Sequence, residues 1–324
     1  MTAIAPIYVY AYTASAHLFI HDEEAADFLQ SQFSNDLRPM ELGSCTYGLW
    51  LNAKGRVLGD SCLLCEGENQ YRLLSSSTPQ QVIQSTLEQH IVADDVEIDA
   101  QAPACMLYVS GSEVDGSLSA ILDKPMPKTM REFVQIGAYT IFKTRRSHLG
   151  GYEIFCRTQT DAAALMQHLK TASAQSLDNS EMHLARLQAG CPLVPQEVGP
   201  TDFPAEAGFE ADALSFTKGC FIGQEVVVRM HNLGRARRML CLVHMIGKMP
   251  KIEADIVNEA GRILGQLRTF YPCANGWVGA AMIQQKAASA GDKMYLEDVQ
   301  LTVLGPLRNG LCQDFLTSIV HTKP

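Results

Sequence analysis

The chain has 324 residues, 47% hydrophobic and 19% charged, with 26 Lys and Arg against 35 Asp and Glu for a formal charge of -9. That is globular composition for two or three domains, and it excludes a disordered chain, a collagen-like repeat and a uniformly basic nucleic-acid coat. Ten cysteines spread from Cys45 to Cys312 do not form a dense disulfide framework, no apolar run reaches about 18 residues without charge, and no leader-like pattern opens the chain. These features predict a cytoplasmic protein in a reducing compartment, with no membrane partner.

Residues 6–20, "PIYVYAYTASAHLFI", predict one or two opening strands. In "HDEEAADFLQSQFSNDL" the residues Ala25, Phe28, Leu29 and Phe33 share one helical face, with Asp22 as the cap and Asn35 and Asp36 at the end. The run "CTYGLWLNAKGRVLGDSCLLCEGENQYRLLSS" predicts three antiparallel strands broken at "NAKG" and "EGEN". A second helix starts at Thr78 and Pro79 and turns Val82, Leu87 and Ile91 inward. Strand character returns over residues 96–110. The Gly-, Ser- and Pro-rich stretch after it predicts a crossover or subdomain boundary near 112–130.

"GAYTIFKTRR" and "GGYEIFCR" predict two further strands, and "TDAAALMQHLKTA" and "SEMHLARLQAG" two helices, the second stopped by Gly190. Residues 1–236 therefore read as α+β in two rounds, with helices laid on antiparallel sheet. A Pro-rich acidic segment follows over 190–217, a length without periodicity that often belongs to a site. From about Arg237 to 324 short strands alternate with Gly, Asn and Asp turns, which predicts a small C-terminal β-barrel domain.

The segment most dense in chemistry is "KGCFIGQEVVVRMHNLGRARR", residues 218–238. Lys218, Arg229, Arg235, Arg237 and Arg238 against Glu225 give it +4 within a chain of -9. Such a local reversal calls for an acidic neighbour or an anionic partner. Cys220 lies between Gly219 and Gly223 beside Lys218. If "GQEVVVRMH" is a helix, Cys220 precedes its N-terminus, where N–H groups and Lys218 favour a thiolate. Three consecutive valines equally suit a strand, and Cys220 then reads as a cysteine in a Gly-rich turn. Cys62 and Cys65 are spaced C-x-x-C within one strand, face opposite sides and read as structural, so no metal site is predicted. No dinucleotide, phosphate-loop or nucleophile-elbow motif is present.

The core Lys218, Gly219, Cys220, Phe221, Gly223, Gln224 and Glu225, with Arg229 and "GRARR" downstream, resembles the signature of the YgfZ/IBA57-like folate-binding family within the glycine-cleavage T-protein superfamily. "FLQSQFSNDL", "LNAKGRVLGD", "GGYEIF", "ARLQAGCPL", "GRILGQLRT" and "AGDKMYLE" extend that resemblance over about residues 15–305. It implies a T-protein-like fold, with two α+β subdomains around a central channel and a small C-terminal barrel. It implies a bound tetrahydrofolate or one-carbon-substituted folate. The ligand contacts it points to are Gln188 at the pterin edge, Arg229, Arg235, Arg237 and Arg238 for the glutamate tail, and Gln224 and Glu225.

The function implied is that of an accessory factor for assembly, maintenance or repair of certain iron–sulfur enzymes, with an indirect effect on tRNA methylthio modification. Cys220 and Lys218 would be the reactive pair, with transient iron–sulfur cluster contact and iron–sulfur client or assembly proteins as partners. The expected state is a monomer without stably bound nucleic acid. The sequence departs from T-proteins where their paired acids stand: here the pair reads Gly59 and Asp60, which leaves Asp60 as the single carboxylate. A folate-dependent methyl or aminomethyl transferase is the alternative that the missing acid disfavours. An RNA- or protein-binding module using the Arg229–Arg238 patch is another.

Overall fold

The computed structural model describes residues 7–234, 236–289, 291–296 and 299–309. The two opening strands, Tyr8–Thr13 and Ala16–His21, enter different sheets. The first sheet has five antiparallel strands, in the order Cys45–Leu51, Val57–Gly67, Gln70–Ser75, Ala16–His21 and Glu97–Ala100. Helices Ala25–Gln32 and Gln80–Glu88 cover one face. Phe28, Leu29, Ile83 and Leu87 pack there on Leu18, Ile20, Trp50 and Leu73. The alternation of apolar residues along the strands leaves the opposite face for a second partner.

Two local expectations change. Asp22 does not cap the first helix with its side chain; its carbonyl accepts the Ala25 N–H at 3.0 Å from a left-handed backbone, φ 86°. The second helix begins at Gln80 rather than Thr78, so Ile83 turns inward and Val82 outward. Its Pro79 still stands at the N-terminal boundary, where a missing N–H has no cost.

The second sheet runs Gln175–Ser176, Tyr8–Thr13, Cys105–Ser110, Gly151–Cys156, Tyr139–Lys143 and Phe133–Ile136. Helices Val114–Leu122 and Gln159–Thr171 lie against it, and Leu118 and Leu165 meet Val9, Leu107 and Ile154. The stretch expected as a crossover near 112–130 therefore holds a helix. The chain passes from the first sheet to the second between Ala100 and Cys105. The free faces of the two sheets pack on each other through Ala14, Cys45, Leu64, Leu74, Met106 and Phe142.

Helix Asn179–Gln188, started by an Asp178–Glu181 capping box, leads into the long segment with its short helix Pro204–Ala207. Beyond it, strands Arg238–Met245, Gly276–Gln284, Ile263–Cys273, Asp255–Val257, Lys293–Leu296 and Val299–Pro306 close into a barrel. Among the described residues no helix is long and apolar enough to cross a membrane.

The valine-rich segment is a helix, Gln224–Leu233, entered from Gly223 at φ 78°. Val227 enters the core that joins the first sheet to the barrel. Gly223 lies against the "NAKG" hairpin: a Cβ there would stand 2.6 Å from the Asn52 carbonyl oxygen and 2.9 Å from Gly55 Cα. Two of the motifs singled out in the sequence thus meet backbone to backbone. Gly223→Ala should destabilise the protein by roughly 1–3 kcal/mol, from the close approach and the left-handed φ together. Gly219→Ala, with open space around its Cβ position, should shift the denaturant midpoint little.

Candidate functional site

Between the inner faces of the two sheets lies a cavity that opens to solvent. Leu74, Met106 and Phe142 give it apolar walls; Asp60, Glu153, Arg145, Arg146 and Arg186 give it charge. Asp60 stands on Val57–Gly67 and is buried. Its Oδ2 accepts Tyr47 Oη at 2.8 Å, and its Oδ1 accepts Thr78 Oγ1 at 2.9 Å and Ser75 Oγ at 3.3 Å. Burial raises its pKa, against the hydroxyl donors and Arg145, which lower it. A carboxylate has about four acceptor positions, and these three bonds leave one on Oδ2 for a donor in the cavity.

Gly59, beside it, is set by Thr78. A Cβ at position 59 would stand 2.5 Å from Thr78 Cγ2. The hydroxyl that holds Asp60 belongs to the side chain that excludes a larger residue next to it. A second carboxylate at 59 requires Thr78 to move.

Glu153 projects from Gly151–Cys156 and is saturated. Its oxygens accept Tyr12 Oη at 2.9 Å, Thr144 Oγ1 at 2.7 Å, and Arg146 Nε and Nη2 at 2.8 and 2.7 Å. Its work is to fix Arg146, whose guanidinium lies 4.7 Å from the Tyr12 ring centre. Arg145 turns the other way, over the Tyr47 ring at 3.8 Å, and donates through Nε to Asp212 at 2.7 Å.

Arg186, on helix Asn179–Gln188, forms the floor. It is 1% exposed and its partner Glu197 is fully buried. Nη1 and Nη2 meet the two Glu197 oxygens at 2.8 and 2.7 Å, and Nη1 also reaches the Cys191 carbonyl at 2.7 Å. The Thr269 hydroxyl, from the barrel, completes Glu197. One turn back, His183 stacks on Tyr271 at 4.5 Å, and burial, reinforced by Arg186, pushes its pKa down to about 4.

Of the residues singled out in the sequence, Asp60 and Cys62 line this cavity. Gln188 is half-buried on the last turn of its helix and is not among the lining residues, whereas Arg186 of the same helix is. Cys220 is exposed, in the loop before Gln224. The hydrogen bonds of Lys218 go elsewhere. The ammonium is buried and donates to the carbonyls of Gln30, Phe33 and Asn35 at 2.5, 2.7 and 3.0 Å, closing the C-terminal end of helix Ala25–Gln32. Burial lowers its pKa to about 8.

The arginine cluster is divided. Arg229 and Arg237 are exposed, and Arg235 lies outside the described residues. Arg238 is held by Glu206 at 2.8 Å and Asp202 at 3.0 Å, so the long segment is the acidic neighbour of this one arginine. Gln224 and Glu225 open the helix; Glu225 is exposed in its first turn, where a carboxylate suits the helix dipole.

The GCVT N-terminal domain family matches residues 12–215, more than half of the chain. The chain belongs to the GCVT N-terminal domain family. Its relatives include an aminomethyltransferase of Geobacillus thermodenitrificans, 24% identical over 83% of this chain and 77% of that protein. A tRNA-modifying protein YgfZ of Yersinia pseudotuberculosis is 24% identical over 89% of this chain and 88% of its own. The glycine cleavage system aminomethyltransferase T of Bartonella henselae superposes with a TM-score of 0.78 at 16% identity, over 94% of this chain and 86% of that one. That likeness fixes the fold: two α+β units and a closed six-stranded barrel.

Against this GCVT-family frame, sequence reasoning missed Tyr12, Arg145, Arg146, Glu153 and Arg186 as cavity residues. A signal existed for one of them, Glu153. "GGYEIF" places one acid inside an apolar strand, and a buried acid needs a partner. Glu197→Gln, which leaves Arg186 buried beside a neutral amide, should lose about 3–5 kcal/mol in denaturant unfolding. His183 is neutral in the fold and protonates more readily when unfolded. Its contribution is complete above pH 6.5 and lost as pH falls toward about 4. His183→Phe should therefore flatten the decline in stability measured between those limits.

Proposed function

We propose that this chain binds a reduced folate in the cavity between its sheets and acts, as a cytoplasmic bacterial monomer, as an accessory factor for assembly, maintenance or repair of certain iron–sulfur enzymes. Its effect on tRNA methylthio modification would run through those enzymes. The observation that carries the binding reading is Asp60, buried at the cavity wall with one acceptor position open, opposite apolar walls and with Arg145 at the boundary. A pterin is flat and presents ring N–H and amino donors, and its benzoylglutamate end carries carboxylates. Asp60 suits the first and Arg145 the second, while Leu74, Met106 and Phe142 exclude water from the ring faces. Bound folate would supply a one-carbon carrier; this chain's residues bind it, orient it and keep water away.

The iron–sulfur part of the reading rests on the exposed Cys220 in its signature loop and on the tRNA-modifying relative. A transferase reading draws on the aminomethyltransferase relatives. It is disfavoured because Asp60 stands without a second acid, and the packing of Thr78 on Gly59 opposes one. The commitment of Arg238 to Asp202 and Glu206 weakens a nucleic-acid reading of the arginine patch.

Calorimetric titration with 5-formyltetrahydrofolate under anaerobic reducing conditions should give saturable one-to-one binding. Asp60→Asn, which loses a charge-assisted acceptor, should weaken it about tenfold or more. Absence of binding at high micromolar folate would overturn the reading. Cys220→Ala should bind folate normally but fail to restore a methylthiolating cluster enzyme in a deletion strain. Full rescue would remove the thiol from the proposal.

A further inference from the structure

Arg145 stands where three parts of the chain meet. It follows the strand Tyr139–Lys143 of the second sheet and covers the Tyr47 ring of the first at 3.8 Å. Its Nε and Nη2 reach the same Asp212 oxygen, Oδ2, at 2.7 and 2.6 Å, and its Nη1 lies 3.6 Å from Cys191 Sγ. Two cavities share this residue. One is the inner cavity; the other is an outer, more open cleft bounded by Gly190, Phe209, Asp212 and Arg308. Pro192 belongs to both. The Arg145–Asp212 pair is therefore part of the partition between them.

The two partners of the pair are unequally buried. The Arg145 side chain is 15% exposed and that of Asp212 47%. Releasing Asp212 to water costs little, because its carboxylate is already half-solvated. Leaving Arg145 without an anion costs much more, because the guanidinium is enclosed. Such a pair opens readily only when another anion replaces the first. Asp212 also uses one oxygen for two N–H donors, so a carboxylate arriving on the inner side can offer the two-oxygen geometry that Asp212 does not.

We propose that the Arg145–Asp212 pair is an exchangeable latch between the two cavities, and that the carboxylate tail of a pterin ligand takes the place of Asp212 on Arg145 as the tail passes into the outer cavity. This rests on the folate reading above and adds to it the exchange of carboxylates on Arg145. Arg308, on the outer wall, meets a tail that extends further; its stem lies against Gly208, where a Cβ would stand 2.4 Å from Arg308 Cδ.

The test compares two probes by calorimetry on the full chain: 5-formyltetrahydrofolate, and 6-methyltetrahydropterin, which lacks the tail. Asp212→Asn, at an exposed position, should tighten folate binding about tenfold and leave the tail-less pterin unchanged. Arg145→Leu should weaken folate about tenfold with the pterin again unchanged, and Arg145→Lys should recover part of that loss. Thermal melts check that each variant is folded. If Asp212→Asn leaves folate affinity unchanged, or tightens both probes equally, the latch is overturned while the folate reading stands. If neither probe binds the unaltered protein, the folate reading falls and the latch with it.

Discussion

The buried pair of Arg186 and Glu197 is the interaction on which the rest of the arrangement depends. Neither side chain has meaningful contact with water, and burying two charges costs several kcal/mol per ion before their attraction is counted. The expense is met only because both groups are nearly saturated. Arg186 also binds the Cys191 carbonyl, and Glu197 also accepts the Leu193 N–H and the Thr269 hydroxyl. Those partners come from the helix, the turn after it, the long segment and the barrel. One ion pair therefore fixes the cavity floor relative to the barrel, and removing either charge leaves the other stranded.

The same logic organises the cavity wall. Glu153 has its acceptor positions filled, which immobilises Arg146 and makes the pair a rigid part of the wall. Asp60 is held by three hydroxyls and keeps one position open, so it is the carboxylate equipped to meet a ligand. Arg145 pairs with a half-exposed acid and is the cation equipped to change partners. The difference between these charges lies in unfilled hydrogen-bonding capacity rather than in residue type.

The signature loop has a structural task beyond any chemistry of Cys220. Lys218 supplies donors to the carbonyl of Gln30, in the last turn of helix Ala25–Gln32, and to those of Phe33 and Asn35 just beyond it. Ser34 and Asn35 add bonds to Ala213 and Asp212. Gly223 allows the loop to lie on the "NAKG" hairpin. The loop is thus pinned at both ends, and Cys220 is presented at the surface between the pins.

The sequence by itself determined most element types, the α+β character, the C-terminal barrel and the family, because apolar periodicity, capping residues and a glycine-rich signature are local in the chain; it left Gln224–Leu233 open between helix and strand and did not show helix Val114–Leu122. Asp60 and the lone-acid departure were visible only through the resemblance to T-proteins. Only the tertiary structure decided that Tyr8–Thr13 joins the second sheet, that Lys218 caps a helix remote in sequence, and that Arg238 is bound to the acidic segment. It also decided that Tyr12, Arg145, Arg146, Glu153 and Arg186 converge on one cavity. A charge in a sequence carries no record of which opposite charge burial will bring to it. Pairing is set by the packing of sheets and segments far apart along the chain, and that packing sorts this protein's arginines into floor, wall, latch and surface.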